Sequence, residues 1–327
     1  MRKSRVNMVQ TPAQYTFIHD AILEALIFKG TTVDAEQFSN YYKKLQQPGN
    51  DLPTIEQQYE WLKRMRMDTI PANVKSATEH RDKNRFPDIV PQDNQRPFLN
   101  RLYTSGHDYI NAVYTKETRR DTTVLATQIP LPTTVADFWT LVVEHNVSQI
   151  VSMETAPPMD QTCAPYFPTE DIAVLTDGAF RIDYVKTTQL DVGTVTHLEV
   201  LNLKDNAMAP RSVRHLEFNA WSASNKTPDT PAAMLSLIKH VADWQHKTSD
   251  KKIVVACRDG ASRSGLFAAC WEILHRLETE QLVGVFSVCL YQRQFRPQFI
   301  PNLAQYEFCY MAIDRKLEDY EIYSNFR

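Results

Sequence analysis

The hydrophobic and polar positions divide the chain into a strand-rich middle and helical flanks. Between residues 109 and 220, short runs alternate in polarity or are continuously apolar, as in YINAVY, TTVLAT, SQIVSM, IAVLT, FRIDYV, VTHLEVLNL and VRHLEF. Such runs predict β-strands. Helical spacing appears within them at TTVADFWTLVVEHN and dominates from residue 231 to the end, interrupted by the apolar run IVVA. This order predicts an α/β (α+β) fold with a central, highly twisted mixed sheet flanked by helices.

The first sixty residues predict helices with clear start signals. Thr11 and Pro12 provide a cap and a first-turn proline for a helix that runs to about Phe28. Residues 30–53 predict a short helix between turns. A capping box at Thr54 and Gln57 then opens a further helix. We therefore divide the chain into residues 1–29, a joint at 30–53 and a main domain at 54–327.

Composition excludes several classes of function. The chain has 327 residues, 43% of them hydrophobic, which suffices for one large core, and its net charge of −3 gives no field for nucleic acid. No apolar run approaches the ~20 residues needed to cross a bilayer, so we expect a soluble fragment without direct membrane insertion. The five cysteines lack paired spacing, which favours a reducing compartment, and the nine histidines show no metal-ligand spacing. We expect neither a metal nor another cofactor.

Residues 251–265, KKIVVACRDGASRSG, carry the candidate chemistry. A β-type run leads to Cys257, and a helix begins a few residues later. A loop that closes on a helix N-terminus directs backbone N–H groups at one point, where the helix dipole favours an anion. The same field lowers a thiol pKa, so Cys257 is predicted to be a nucleophile near neutral pH.

The residues after Cys257 complete this anion cradle. Arg263 offers a planar fork that matches two phosphate oxygens, and Ser264 can donate its hydroxyl to the sulfur. Gly260 relaxes the turn, and the following SGLFAACWEILHRLETE reads as an amphipathic helix. The other four cysteines, in apolar or aromatic surroundings, are interpreted as core residues; they are Cys163, Cys270, Cys289 and Cys309.

With these residues the chain resembles the protein tyrosine phosphatase family, and the likeness extends over most of its length. Residues 83–91, KNRFPDIVP, resemble the phosphotyrosine-recognition loop of that family. Trp221 stands where the mobile acid loop begins, and residues 296–308, RPQFIPNLAQYEF, resemble the glutamine loop. Residues 108–112 and 125–139 resemble segments that lie between these loops. The resemblance implies a phosphate-binding loop with Cys257 as the nucleophile.

At three positions the chain lacks a side chain that belongs to the family's active-site pattern. The aspartate of the family's acid loop, which protonates the leaving tyrosyl oxygen, is replaced here by Ala223. The glutamine that places the hydrolytic water is replaced by Pro301, and the histidine before the cysteine by Ala256. Loss of a positioned general acid typically costs on the order of 100- to 10,000-fold in rate. Asp229 is the nearest substitute acid in sequence, but its place between prolines at a helix start is typical of a cap.

Other departures alter the binding pocket. Arg258 and Asp259 follow the cysteine where the family has small residues, and a carboxylate there would repel a phosphate dianion. Phe86 replaces the tyrosine that stacks on the substrate ring. By resemblance, the substrate-binding positions are Phe86, Asp88, Trp221, Arg258, Asp259, Gly260, Ala261, Ser262 and Gln305. A weakly bound phosphate or phosphotyrosine remains compatible with what survives.

An internal repeat links the two ends of the chain. Residues 2–22 and 293–313 share one register, with matched pairs Arg2/Arg293, Arg5/Arg296, Ala13/Ala304, Gln14/Gln305, Tyr15/Tyr306, Phe17/Phe308, Ala21/Ala312 and Ile22/Ile313. Residues 1–29 are therefore interpreted as the end of a preceding domain of the same type, with its glutamine at Gln10. Tandem domains resemble receptor tyrosine phosphatases, in which the membrane-proximal copy usually carries the activity and the distal copy regulates it.

The resemblance leaves three hypotheses for function. The first is a catalytically silent second domain that regulates or scaffolds its active upstream neighbour and binds phosphotyrosine proteins, on the cytoplasmic side of a single-pass plasma-membrane receptor. The second is a weakly active phosphatase that uses Cys257, either with another group in place of the acid or on substrates whose leaving group needs no proton. The third is a redox sensor based on an exposed, low-pKa Cys257.

Overall fold

A mixed sheet of eight strands lies at the centre of the structure. The structure is a computed structural model, and it describes residues 9–47, 52–65, 73–116, 122–154, 160–205, 209–248 and 250–325. The predicted fold class, a central twisted mixed sheet flanked by helices, is confirmed. Residues 1–8 of the predicted preceding segment and 48–51 of the predicted joint lie outside the described residues.

Each strand predicted from the sequence is present. The strands are β1 (Val33–Asp34), β2 (Ala112–Lys116), β3 (Thr123–Gln128), β4 (Gln149–Ser152), β5 (Val174–Asp177), β6 (Phe180–Leu190), β7 (Gly193–Asn202), β8 (Arg211–Phe218), β9 (Lys252–Cys257) and β10 (Leu282–Val283). The order in the large sheet is β2-β3-β9-β4-β8-β7-β6-β5, and β1 pairs separately with β10. The central strands β3, β9, β4 and β8 are parallel, whereas the remaining pairs are antiparallel.

Helices cover both faces of this sheet. They are α1 (Pro12–Phe28), α2 (Phe38–Leu45), α3 (Ile55–Arg64), α4 (Lys75–Glu79), α5 (Val135–Glu144), α6 (Pro231–Thr248), α7 (Ser262–Glu280), α8 (Val285–Phe295) and α9 (Leu303–Asn325), with 3₁₀ turns at Ala35–Gln37 and Arg81–Lys83. Both predicted N-caps are confirmed. Thr11 accepts a hydrogen bond from the Gln14 amide at 3.2 Å, and Thr54 accepts one from the Gln57 amide at 3.3 Å.

Helix α7 is central to the position of the candidate site. It follows β9, which lies between β3 and β4, so the loop 258–261 emerges at the carboxyl end of the parallel strands. Its predicted amphipathic character is wrong, because α7 is enclosed on nearly all sides. The buried set includes Arg263, Gly265, Ala268, Trp271, Glu272 and His275 as well as the apolar residues of the predicted face. The core therefore holds the helix that follows the loop firmly in place.

Helix α1 meets the main domain at its C-terminal end. The Phe28 ring packs edge-on against Phe286, with the ring centroids 5.4 Å apart. Earlier in the helix, Tyr15, Phe17 and Ile22 are exposed by 60%, 71% and 55%. An apolar surface on α1 is therefore left uncovered by the described residues.

Candidate active site

A buried arginine, Arg296, supports the loop between β9 and α7. Gly260 adopts a φ of +65°, and a Cβ there would lie 2.5 Å from the backbone nitrogen of Gln128. Arg296 Nη1 donates to the Gly260 carbonyl at 2.8 Å, and its Nη2 donates to Asn111 Oδ1 at 2.7 Å. Glycine is required here for two reasons. Its φ lies in the left-handed region, which glycine adopts most readily, and the turn packs so closely against β3 that a side chain would not fit.

Cys257 ends β9 and is fully buried. Its sulfur accepts hydrogen bonds from the Ser264 hydroxyl at 3.0 Å and the Ser264 amide at 3.4 Å, as the sequence predicted for the hydroxyl. The thiol itself donates to Asp259 Oδ1 at 3.1 Å.

The predicted direction of the Cys257 pKa is wrong. Burial raises the pKa of this thiol, and the nearby carboxylates of Asp259 and Glu154 raise it further, whereas the hydrogen bonds from Ser264 only partly oppose them. The thiol is therefore protonated near neutral pH. The loop does end at a helix N-terminus as predicted, but burial and, to a lesser extent, the two carboxylates outweigh the helix dipole.

Asp259 directs its carboxylate at the start of α7. Oδ1 accepts from the amides of Ala261 at 2.8 Å and Ser262 at 2.9 Å, and Oδ2 accepts from the Ser262 hydroxyl at 2.6 Å. Burial works to raise the pKa of Asp259, but the hydrogen bonds from Ser262, Ala261 and Cys257 outweigh it and hold the pKa below its usual range. The side chain is therefore an anion at the N-terminus of a long helix.

The guanidinium of Arg263 donates hydrogen bonds to main-chain carbonyls. Nη1 donates to Met153 at 3.2 Å and to Trp221 at 3.0 Å, and Nη2 donates to Ser222 at 3.1 Å. Nε lies 3.6 Å from Glu154 Oε2. The sequence predicted that this fork faces two phosphate oxygens. In this structure it instead ties the loop to the end of β4 and to the acid loop.

Arg258 covers the aromatic wall of the pocket. Its guanidinium carbon lies 5.3 Å from the centroid of the Phe86 ring, and its Nε bonds to Asp160 Oδ2 at 2.7 Å. Its backbone amide donates to the Glu154 carboxylate, and its carbonyl accepts from Arg85 Nη1 at 2.6 Å. Both its backbone and its side chain are therefore fixed.

The altered acid loop is bound to itself and to α9. The Trp221 indole donates to the Asn225 carbonyl at 3.0 Å, and Gln305 Nε2 donates to the Lys226 carbonyl at 3.1 Å. Ala223 is exposed in this loop. The substitute acid considered above, Asp229, has its Oδ1 bonded to Asn225 Nδ2 at 3.2 Å. Position 223 therefore carries no carboxylate, and the carboxylate of Asp229 is bonded to Asn225.

The remaining predicted positions lie around this centre. Pro301 is exposed and follows Ile300, whose φ is +50°. Asp88 is exposed in the recognition loop, and its carbonyl accepts from Gln298 Nε2 at 2.7 Å. Ala256 is buried within β9, between β3 and β4. Thus Ala256 cannot offer the side-chain contact that a histidine would give to the loop.

Sequence reasoning missed the carboxylates that now control the site. Glu154 lies two residues after the end of β4, and Asp160 lies just beyond a segment outside the described residues. The carboxyl ends of parallel strands meet at one edge of a sheet, so the position of Glu154 after an apolar strand was a usable signal. Asp160 offered no such signal, because it lies in an irregular loop.

The described ranges contain neither a metal-binding cluster nor a membrane-spanning helix. No group of three or more His, Cys, Asp or Glu side chains is placed to hold a metal ion among the residues that the structure describes. Likewise, none of the helices in the described part of the chain combines the length and apolarity needed to traverse a bilayer.

Comparison with known proteins gives consistent matches. Residues 80–315 match the family model described as protein-tyrosine phosphatase. The chain is 31% identical over 341 residues to receptor-type tyrosine-protein phosphatase epsilon of Mus musculus, covering 100% of this chain and 47% of that protein. It is 29% identical to receptor-type tyrosine-protein phosphatase alpha of Homo sapiens, with coverages of 100% and 41%. For receptor-type tyrosine-protein phosphatase U of Gallus gallus the identity is 30%, with coverages of 97% and 22%. The chain therefore spans less than half the length of each of these relatives.

Proposed function

Because the chain belongs to the protein-tyrosine phosphatase family, we propose that it is a catalytically silent phosphatase domain that regulates or scaffolds an active domain preceding it. The observation that carries this proposal is the acid loop. Arg263 holds Trp221 of this loop, because its Nη1 donates to the Trp221 carbonyl and its guanidinium lies over the indole ring, yet Ala223 stands where the family resemblance places the proton donor. An aryl phosphate ester then has no acid to protonate its leaving oxygen.

Two further features act in the same direction. Pro301 has no side-chain donor and no backbone N–H, so it cannot orient a water molecule against a thiophosphate intermediate. The protonated Cys257 is a weak nucleophile, because the thiolate is the reactive form. Each of the steps that the family resemblance implies, namely attack, leaving-group protonation and hydrolysis, thus lacks a required group.

The backbone around α1 supports the tandem arrangement. Val9 and Ile300 occupy the same place in the repeat, and both have left-handed φ angles, 56° and 50°. Such angles are unusual for β-branched residues. Two residues later, Thr11 and Asn302 each cap their helix through the side chain, accepting from Gln14 and Gln305 amides at 3.2 Å and 3.0 Å. The two segments thus share a conformation as well as a sequence pattern.

The exposure of α1 supports the same arrangement. Tyr306, Phe308 and Ile313 are buried in the core, with at most 2% exposure. Their counterparts in the repeat, Tyr15, Phe17 and Ile22, are large hydrophobic residues of α1 that are exposed. We propose that the core of an upstream phosphatase domain covers this surface, and that Gln10 is the glutamine of that domain.

The relatives support a proposal for the placement of this domain in the cell. Those compared above are named as receptor-type phosphatases, so we propose that this domain lies on the cytoplasmic side of the plasma membrane within a single-pass receptor. Its proposed partner is the upstream catalytic domain of the same polypeptide.

The two alternative functions have less support. Redox sensing was predicted from an exposed, low-pKa cysteine, but Cys257 is buried and its pKa is raised. Weak phosphatase activity would require either another acid or a substrate whose leaving group needs no proton, and the nearest acid in sequence, Asp229, is bound to Asn225 within its own loop.

Turnover of a small aryl phosphate with a low-pKa leaving group tests the loss of activity. Such a substrate needs no general acid, so it is the most permissive assay for the thiol. We expect no turnover above that of Cys257→Ser. Turnover that disappears in Cys257→Ser would contradict the proposal.

Fusion to an upstream domain tests the regulatory role. The kinetics and melting temperature of a catalytic domain from a receptor-type relative would be measured with and without this chain placed after it. We expect a change in either quantity, and a smaller change when Phe17→Ser removes part of the α1 surface. Identical kinetics and stability in all three proteins would argue against regulation.

A further inference from the structure

We propose that Arg258 and Asp259 together form a built-in occupant of the phosphotyrosine pocket, so that the native domain does not bind phosphotyrosine. Asp259 takes the place of the phosphate, and Arg258 takes the place of the aromatic ring. This inference rests on the proposed function only in treating the pocket as one inherited from a phosphotyrosine phosphatase.

Asp259 receives the hydrogen bonds that an inherited phosphate loop offers to its ligand. Four donors converge on the carboxylate, namely the Ala261 amide, the Ser262 amide, the Ser262 hydroxyl and the Cys257 thiol, at 2.6–3.1 Å. Amides at a helix N-terminus and an adjacent hydroxyl form an anion site. Here the anion is supplied from within the loop, two residues after the cysteine.

The charges around the loop disfavour a second anion. Glu154 accepts from the Arg258 amide and lies 3.6 Å from Arg263 Nε, so it neutralises the arginine that would otherwise attract phosphate. The nearby Arg296 is directed away, toward Gly260 and Asn111. A phosphate dianion would have to displace Asp259 or lie beside two carboxylates, and like charges at such distances repel strongly.

Arg258 blocks the second half of the pocket. Phe86 presents the aromatic wall against which, by family resemblance, a substrate ring would stack. The planar guanidinium of Arg258 already lies over that ring, at 5.3 Å, which is a favourable cation–π geometry. Asp160 holds it there with a bond of 2.7 Å. A tyrosine ring would have to break this ion pair to reach Phe86.

The two residues act at separable parts of a ligand. Asp259 competes with a phosphate group, whether or not that group carries a ring. Arg258 competes with an aromatic ring and has its side chain outside the cradle. Inorganic phosphate and phenyl phosphate therefore distinguish the two effects.

Binding of these two probes tests the proposal. Affinities would be measured by calorimetry and by phosphorus NMR line broadening for the wild-type chain, Asp259→Ala and Arg258→Ala. We expect Asp259→Ala to bind both probes about 10- to 100-fold more tightly than wild type, since each hydrogen bond to a charged group is then available to phosphate. Arg258→Ala should improve binding of phenyl phosphate relative to inorganic phosphate.

The exposed pair Arg181 and Asp183 on β6 provides matched controls. It has the same residue types in an ion pair of 2.9 Å, on a strand near the far edge of the sheet. Arg181→Ala and Asp183→Ala should leave both affinities at the wild-type value. If they raised affinity as much as the loop variants, a general charge effect would replace the proposed occupant.

Two results would overturn the inference. One is a folded Asp259→Ala variant whose affinity for inorganic phosphate equals that of wild type. The other is a folded Arg258→Ala variant whose affinity for phenyl phosphate, relative to inorganic phosphate, is unchanged. Should alanine prevent folding, Asp259→Ser supplies a hydroxyl that can accept the loop amides, and the same comparison applies to it. Because binding of inorganic phosphate needs no proton donor, neither result bears on the loss of turnover proposed above.

Discussion

At the scale of single residues, the environment of Cys257 decides its chemistry. A β-strand, a tight turn and a helix N-terminus surround the thiol, and this arrangement alone would favour a thiolate. Here Asp259 lies two residues away and Glu154 follows β4, and both raise the pKa of the buried thiol. The loop geometry alone therefore does not predict the pKa of Cys257, because desolvation and nearby charges have the larger effect on it.

Alkylation of Cys257 measures this effect directly. Because the thiol is buried and protonated, we expect iodoacetamide at pH 7.5 to modify it at least about tenfold more slowly in the native chain than in the urea-unfolded chain. Mass spectrometry of the peptide that contains residue 257 would give both rates. Fast native modification would show that the thiolate is present and that the pKa assignment is wrong.

The buried His215 and the half-buried His145 predict a loss of stability in mild acid. Burial lowers the pKa of His215 to about 3, and burial together with Lys252 lowers the pKa of His145 to about 4. Above an unfolded pKa of about 6.5, both states are neutral at these positions. As the pH falls from about 6.5 toward 4, the unfolded chain binds protons that the folded chain does not. Stability therefore falls, by up to about 1.4 kcal/mol per pH unit for each histidine.

Urea unfolding at pH 7.0, 5.5 and 4.5 would test this effect. His215→Gln removes one titrating group, so its stability should depend less steeply on pH than that of the wild-type chain. A wild-type chain and a His215→Gln variant with parallel pH profiles would show that His215 does not contribute to the loss.

At the scale of elements, three loops each lack one part of the reaction. The acid loop has Ala223, the glutamine loop has Pro301, and the loop before α7 contains Asp259 bound to its own amides. The backbone of these loops is nevertheless tied together through Arg263, Gln305 and Arg296. The connections between these loops are thus present, although in the proposed function the reactive groups are not.

Restoring the lost groups should restore turnover in steps. Ala223→Asp with Pro301→Gln should raise turnover of an aryl phosphate, and adding Asp259→Ala should raise it further, by about 100-fold or more over the parent. The double variant supplies the acid and the water-positioning group, and the third change empties the cradle. Steady-state assays of the parent, double and triple variants would show the steps. A folded triple variant as inactive as the parent would mean that the loop itself is misshapen.

At the scale of the whole molecule, α1 and α9 share a sequence pattern but lie in different environments. Phe308 is buried in the core, whereas Phe17, at the same place in the repeat, is 71% exposed. The same phenylalanine side chain therefore contributes differently to the free energy of unfolding in the two helices. The difference depends only on what covers each one.

Matched substitutions in the two helices should have very different effects. Phe308→Ala should destabilise the chain by about 3–5 kcal/mol, because it leaves a cavity in the core. Phe17→Ala should change stability by no more than about 0.5 kcal/mol, since its ring is already in water. Urea denaturation of both variants would measure the difference. Comparable losses would indicate that α1 is packed against this domain after all.

Prediction from the sequence was strongest where a pattern is local. The strands from YINAVY to VRHLEF, the caps at Thr11 and Thr54, and the strand–loop–helix unit around Cys257 were all identified correctly. The prediction that α7 is amphipathic was wrong, because its polar residues Glu272 and His275 are buried together with the apolar ones. The two-residue pair of β1 and β10 was not predicted, because strands so short have no periodicity to detect.

The sequence alone determined which side chains stand at the reactive positions: the thiol at 257, the alanine at 223 and the proline at 301. It also determined the repeat that relates α1 to α9. Only the tertiary structure decided how these groups are charged and what fills the pocket. The physical reason is that a pKa depends on burial and on nearby charges, whatever their separation along the chain. Glu154 and Asp160 reach Arg258 across 104 and 98 residues, and no local pattern encodes that meeting.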